Sequence, residues 1–141
     1  MEQSRVGRME HFALRTRRSL KALCARIQDE FALPEFQFDC ENETEWGWSE
    51  LDGIEYNVSR PFESQTLCSW DSSVPEGCNV GISIMLAKEH PRCNDGDWIL
   101  ESLVPAVGKR LSKALAAAIH HHRSWLGVGR NESRSGRFAA Q

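Results

Sequence analysis

Residues 35–58 read EFQFDCENETEWGWSELDGIEYNV. Phe36, Phe38 and Cys40 alternate with Glu35, Gln37, Asp39 and Glu41, the period of two that a half-buried strand requires. Asn42 to Thr44 is a turn signal. Trp46 and Trp48 then share one strand face, with Glu45, Gly47 and Ser49 on the other, and Asp52-Gly53 is a dipeptide favoured in two-residue hairpins. Ile54, Tyr56 and Val58 alternate again up to Pro61, which has no amide to give a ladder and so marks a strand end or edge. A strand over 35–41 and a hairpin after it follow.

Downstream, Leu67 to Trp70 adds a short strand, and Asp71 to Cys78 forms a loop with Pro75 and Gly77. Val80, Ile82, Ile84 and Leu86 then alternate with Gly81, Ser83 and Met85 as a central strand would. Trp98, Leu103, Val107, Leu111, Leu115, Ile119 and Leu126 predict a second long helix stopped by Gly127 and Gly129. Pro105 inside it predicts a kink, or a short helix 98–103 followed by a longer one over 105–125. Upstream, Met9, Phe12, Ala13, Leu20, Leu23, Cys24, Ile27 and Phe31 recur at three- and four-residue spacings, which predicts an amphipathic helix over 8–31 ended by Pro34.

The expected fold class is therefore α+β: an N-terminal helix, about four antiparallel strands, and a long C-terminal helix kinked near Pro105. Both helices would cover one sheet face and leave the other to water or a partner. Residues 1–7 read as a flexible N-terminus, 8–127 as a single α+β domain and 128–141 as a disordered tail.

A chain of 141 residues with 40% hydrophobic residues can bury one core without a second domain, a metal or a disulfide. Its N-terminal stretch is polar and Arg-rich, and no run of about 18 apolar residues occurs, so a soluble, cytoplasmic protein is expected. Five widely spaced cysteines without a Cys-x-x-Cys pair argue for reduced, mostly packed thiols.

Charge is strongly segregated. Thirteen carboxylates lie between Asp29 and Glu76 against one cation, Arg60, with Trp46, Trp48, Tyr56 and Trp70 threaded among them. The flanks are basic, and the formal net charge is −3. An acidic, aromatic surface of this kind repels nucleic acid and anionic membrane and attracts a basic protein. Trp46 and Trp48 on one strand face are either core or exposed interface anchors. The leading partner-binding residues are Trp46, Trp48, Glu50, Asp52, Glu55, Trp70 and Asp71.

Catalytic groups are sparse. His120-His121-His122 on a helix would point about 100° apart in succession and could not ligate one metal together; flanking the last turn, they would favour its negative end with Arg123. Glu10-His11 and Glu89-His90 are the remaining acid–base pairings, and no nucleophile elbow, phosphate-cradling loop or dinucleotide fingerprint is present. The sequence predicts a protein that is not an enzyme, without cofactor or metal.

The segments Tyr56-Asn57-Val58-Ser59-Arg60-Pro61-Phe62, Trp70-Asp71, Val74-Pro75-Glu76-Gly77-Cys78-Asn79-Val80-Gly81-Ile82-Ser83, Leu103-Val104-Pro105 and His121-His122-Arg123-Ser124-Trp125 resemble predicted immunity proteins of bacterial polymorphic toxin systems. The resemblance spans about residues 35–126. It implies a small cytosolic protein that binds and blocks a cognate toxin delivered by contact-dependent or type VI secretion; the acidic surface suits a toxin that is basic at the contact, and the chain would be a monomer or dimer. The alternative is a secretion chaperone or another acidic protein-binding module. Such chaperones place a dimerising helix between strands, and residues 35–88 show no helical period.

Overall fold

The computed structural model describes residues 9–41, 44–61, 77–87, 96–122 and 135–140. In chain order the elements are β1 (Met9–Leu14), α1 (Leu20–Phe31), β2 (Gln37–Glu41), β3 (Thr44–Leu51), β4 (Ile54–Pro61), β5 (Val80–Leu86), α2 (Gly96–Leu115), β6 (Ile119–His122) and β7 (Ser135–Phe138). The strands form one sheet in the order β2-β3-β4-β5-β1-β6-β7, every neighbouring pair antiparallel.

The alternation in β3, β4 and β5 sets one face against the helices. Val58, Ile82 and Phe12 stand in register across β4, β5 and β1, as do Tyr56 and Ile84 across β4 and β5. Leu20, Leu23, Cys24, Ile27 and Phe31 of α1 and Leu100, Val104, Val107, Leu111 and Leu115 of α2 close over them in one buried cluster. The helices are also tied to each other: Arg110 stacks 4.2 Å over the Phe31 ring and pairs with Glu30 at 3.1 Å, and Arg26 Nη1 donates to the Ala114 carbonyl at 3.0 Å. The β3–β4 hairpin turns on Asp52 (φ 55°) and Gly53 (φ 80°), two consecutive left-handed residues whose twist suits a two-residue connection.

This architecture corrects the expected α+β plan of an N-terminal helix, about four strands and a long C-terminal helix. Seven strands form the sheet, and the chain ends supply three of them. The expected helix over 8–31 begins only at Leu20, where the Ser19 side chain accepts from the Ala22 amide as its N-cap. Residues 9–14 are strand, and Glu10, Phe12 and Leu14 are the inward set. α2 is one helix with Pro105 inside it, and it stops at Leu115 instead of running to 125; Ala116 turns to φ 52° and β6 follows. In both places an apolar spacing of three and four coexists with a true period of two, and a polar residue on the buried face hides the latter.

Ser135–Phe138, within the segment read as a disordered tail, is β7. Phe138 reaches α2 at Gly108, where a Cβ would stand 2.2 Å from the ring, so the close approach requires glycine there. The strand expected at 67–70 lies outside the described residues.

Because the two sheet faces differ so sharply, substitutions on β5 should separate by face. Ile82→Ala, on the helix side, is expected to cost about 2–5 kcal/mol, and Met85→Ala, on the opposite side, no more than about 1 kcal/mol, as read by urea unfolding. Equal losses would show that the core is not confined to one face.

Candidate functional site

A strand period of two obliges half of the side chains to face away from α1 and α2. The register assembles them into rows. One runs Gln37, Trp48, Asn57, Ser83, His11, His122 from β2 to β6; the next runs Asp39, Trp46, Ser59, Gly81, Ala13, His120, Arg137 out to β7. A third holds Glu50, Glu55, Met85 and Met9. Among the described residues no helix packs on this face.

Four of the seven expected partner-binding residues meet here. Trp46, Trp48 and Glu50 lie on β3 and Glu55 on β4, all on the face away from the helices. Trp48 is 45% exposed, an unusual state for so large an apolar ring, and Trp46 is half-buried beside it. Asp52 is exposed at the hairpin turn, at the end of the same two strands. Trp70 and Asp71 lie outside the described residues. Glu50 stands directly opposite Glu55. This register sets two carboxylates side by side next to Trp48. Asp39 adds a carboxylate to this end of the face, whereas Glu45 turns to the helix side.

One feature of this end was not expected. Phe38, on the helix side of edge strand β2, is 42% exposed and lines an open slot of about 370 Å³ with Leu20, Lys21, Asp39, Cys40 and Glu45. The Lys21 ammonium stands 5.7 Å from its ring centre. The alternation of Phe36 and Phe38 was visible, but it does not tell an edge strand from an inner one. Asp39 accepts from the Cys40 amide at 2.7 Å, which occupies one donor of the edge. A second open cavity, of about 390 Å³, is lined by Arg15, Thr16, Arg17, Arg18 and the end of α2 at Leu115 to Ala117.

The acid–base pairings resolve differently from the sequence expectation. Glu10 and His11 are neighbours on a strand and therefore face opposite sides, so they do not form a pair. Glu10 instead meets His121, with Oε1 and Nε2 2.8 Å apart. Glu10 is 1% and His121 8% exposed, and the His121 ring lies 5.4 Å from that of Phe12. This contact is closed to a substrate and joins β1 to β6. The three histidines lie on a strand, not on the last turn of a helix. Glu89-His90 lies outside the described residues. Among the described side chains no three His, Cys, Asp or Glu groups gather as a metal site.

No protein-family model matches the chain, and neither a curated protein nor a solved structure matches it. Among the described residues no helix is long and apolar enough to cross a membrane.

Two tests follow from these environments. Glu10→Ala or His121→Ala removes one member of a buried ionisable pair and should cost about 3–5 kcal/mol. Glu10→Leu combined with His121→Leu should recover most of that loss, so a double-mutant cycle should show strong coupling; additive losses would mean that the contact carries little. Thiol labelling should distinguish the described cysteines. Cys24 is buried and its thiol is pushed up to about 12, first by burial and then by Glu45, while Cys40 is exposed. In the folded protein at neutral pH, iodoacetamide should modify Cys40 and spare Cys24 and Cys78 until denaturant is added, as peptide mass mapping would show. Labelling of Cys24 at the rate of Cys40 would contradict this packing.

Proposed function

We propose that this chain is an immunity-type binding protein that captures and neutralises a cognate secreted bacterial toxin in the cytoplasm through the acidic, tryptophan-bearing end of its open sheet face. The observation that carries the reading is the Glu50–Glu55 pair beside exposed Trp48, with Asp52 at the adjoining turn. A carboxylate cluster steers a basic partner into contact, and an aromatic anchor covered on docking slows its release. The geometry also suits binding better than catalysis: the described acid–base pair is buried inside the sheet–helix layer, while the exposed groups are carboxylates on rigid strands. A basic toxin surface would meet Glu50, Glu55 and Asp52 together on docking.

Co-expression with the protein encoded beside this chain tests the reading. Rescue of growth together with a stable complex is the expected result. Binding to a harmless protein would move the assignment to a secretion chaperone, and no binding would remove the partner-binding role.

In the complex, Glu50→Lys with Asp52→Lys should lower the association rate at least tenfold at low salt and flatten its salt dependence. Trp48→Ala should act on dissociation, raising its rate by a factor of about 30, equivalent to about 2 kcal/mol. Unchanged kinetics in both variants would place the interface elsewhere on the molecule.

A further inference from the structure

Antiparallel pairing of β1 with β6 brings two connections together at one end of the sheet. β1 ends at Leu14 and β6 begins at Ile119, so the link from β1 to α1, residues 15–19, meets the link from α2 to β6, residues 116–118. Between them lies the open cavity of about 390 Å³ lined by Arg15, Thr16, Arg17, Arg18 and Leu115 to Ala117. We propose that this cavity is a binding site for a polyphosphate group, either free or carried by a nucleotide.

The lining has the chemistry for it. Among the described residues no carboxylate lines the cavity, and none pairs with Arg15, Arg17 or Arg18. A guanidinium presents its N–H groups in a planar fork that matches phosphate oxygens, and three forks at one cavity favour a chain of phosphates over a single small anion. Thr16 adds a hydroxyl, whose oxygen accepts from the Arg18 amide at 3.1 Å and whose own proton is left to donate. The carboxyl end of α2 does not aim its last carbonyls here. Those of Ser112 and Ala114 accept from the Ala117 amide at 3.4 Å and from Arg26 at 3.0 Å. Ligand pockets run from about 300 to 1,000 Å³, and a cavity at the small end of that range suits a short phosphate chain.

The arginines also project from a fixed backbone. Asn79 brackets Thr16: its Oδ1 accepts from the Thr16 amide at 3.0 Å and its Nδ2 donates to the Thr16 carbonyl at 2.8 Å. Arg60 donates to the Arg18 carbonyl from β4. These contacts hold residues 16–18 in place before any ligand arrives, which lowers the ordering cost of binding. The row that holds Glu50 and Glu55 reaches β1 at Met9, the opposite end of that strand from Arg15. The cavity is thus separate from the acidic surface and independent of its role.

Calorimetric titration of the full chain with pyrophosphate tests the proposal. One equivalent should bind, and Arg15→Gln, Arg17→Gln and Arg18→Gln should each weaken binding about tenfold, the loss of one charge-assisted contact. Lys21→Gln removes the same charge nearby without touching the cavity and should change affinity by no more than about twofold. Thermal unfolding shows which variants remain folded; Arg15 and Arg17 are exposed, so their variants decide the matter even where Arg18→Gln unfolds the chain. ATP in the same titration separates the two sources of the ligand. Tighter binding than pyrophosphate would mean that the nucleoside is held as well, and equal or weaker binding that the site takes a free phosphate chain. Absence of pyrophosphate binding, equal affinity for sulfate, or a loss in Lys21→Gln as large as in the arginine variants would each overturn the site. Tighter binding of a single-stranded oligonucleotide than of either phosphate would also overturn it and make the arginine loop a nucleic-acid contact.

Discussion

The contact between Glu10 and His121 ties the two ends of the described chain into one sheet. It joins two residues 111 positions apart, on strands from opposite ends of the chain. β1 lies between β5 and β6, so the sheet beyond β5 exists only if both ends come together. Neither group would be tolerated at its position alone, because a buried carboxylate or imidazole without a partner costs far more than the pair returns. Together they favour one register of β1 against β6 over its neighbours. A one-residue slip would send Phe12 out of the core and carry Glu10 away from His121. Apolar residues at both positions would pack as well but would discriminate less between registers.

The same pair explains which parts of the fold could be read from the sequence. Residues 44–61 and 80–86 alternate with few exceptions, and Asp52-Gly53 names its own turn; those strands were legible because local pattern and tertiary burial agree there. At β1 and β6 they disagree. Glu10 and His121 are polar residues on inward positions, so the period of two is broken in the letters while intact in space. What remains visible is a three-and-four spacing that joins smoothly to the neighbouring helices. β7 had a weaker signal, the aromatic Phe138 in a polar segment, and its meaning depended on Gly108, 30 positions earlier. No local reading could connect the two. At the candidate site, the common face of Trp46 and Trp48 was legible from the alternation. That Glu50 stands opposite Glu55, and that Phe38 lies at a sheet edge, required the strand order.

Placing both helices on one face gives the sheet two independent tasks. The helix side carries the stabilising burial, from Phe12, Ile82, Ile84 and Val58 against α1 and α2, and it leaves little freedom for substitution. The opposite side carries mostly polar and part-exposed residues, Ala13 excepted. It also differs along its length: carboxylates and tryptophans occupy β2 to β4, whereas His11, His120 and Arg137 lie on β1, β6 and β7.

The Glu50–Glu55 pair shows how firmly the open side is held in place. The hairpin that carries it is pinned by the left-handed turn at Asp52 and Gly53 and by Ser49, whose hydroxyl donates to the Pro34 carbonyl at 2.7 Å. Tyr56, on the helix side between them, packs against Phe31 with ring centres 5.3 Å apart. Those contacts fix the separation of β3 and β4 and with it the placement of the two carboxylates. On a mobile loop the carboxylates would simply move apart, and a cation would have to order them again on arrival; here they are already held at cross-strand distance beside an exposed indole.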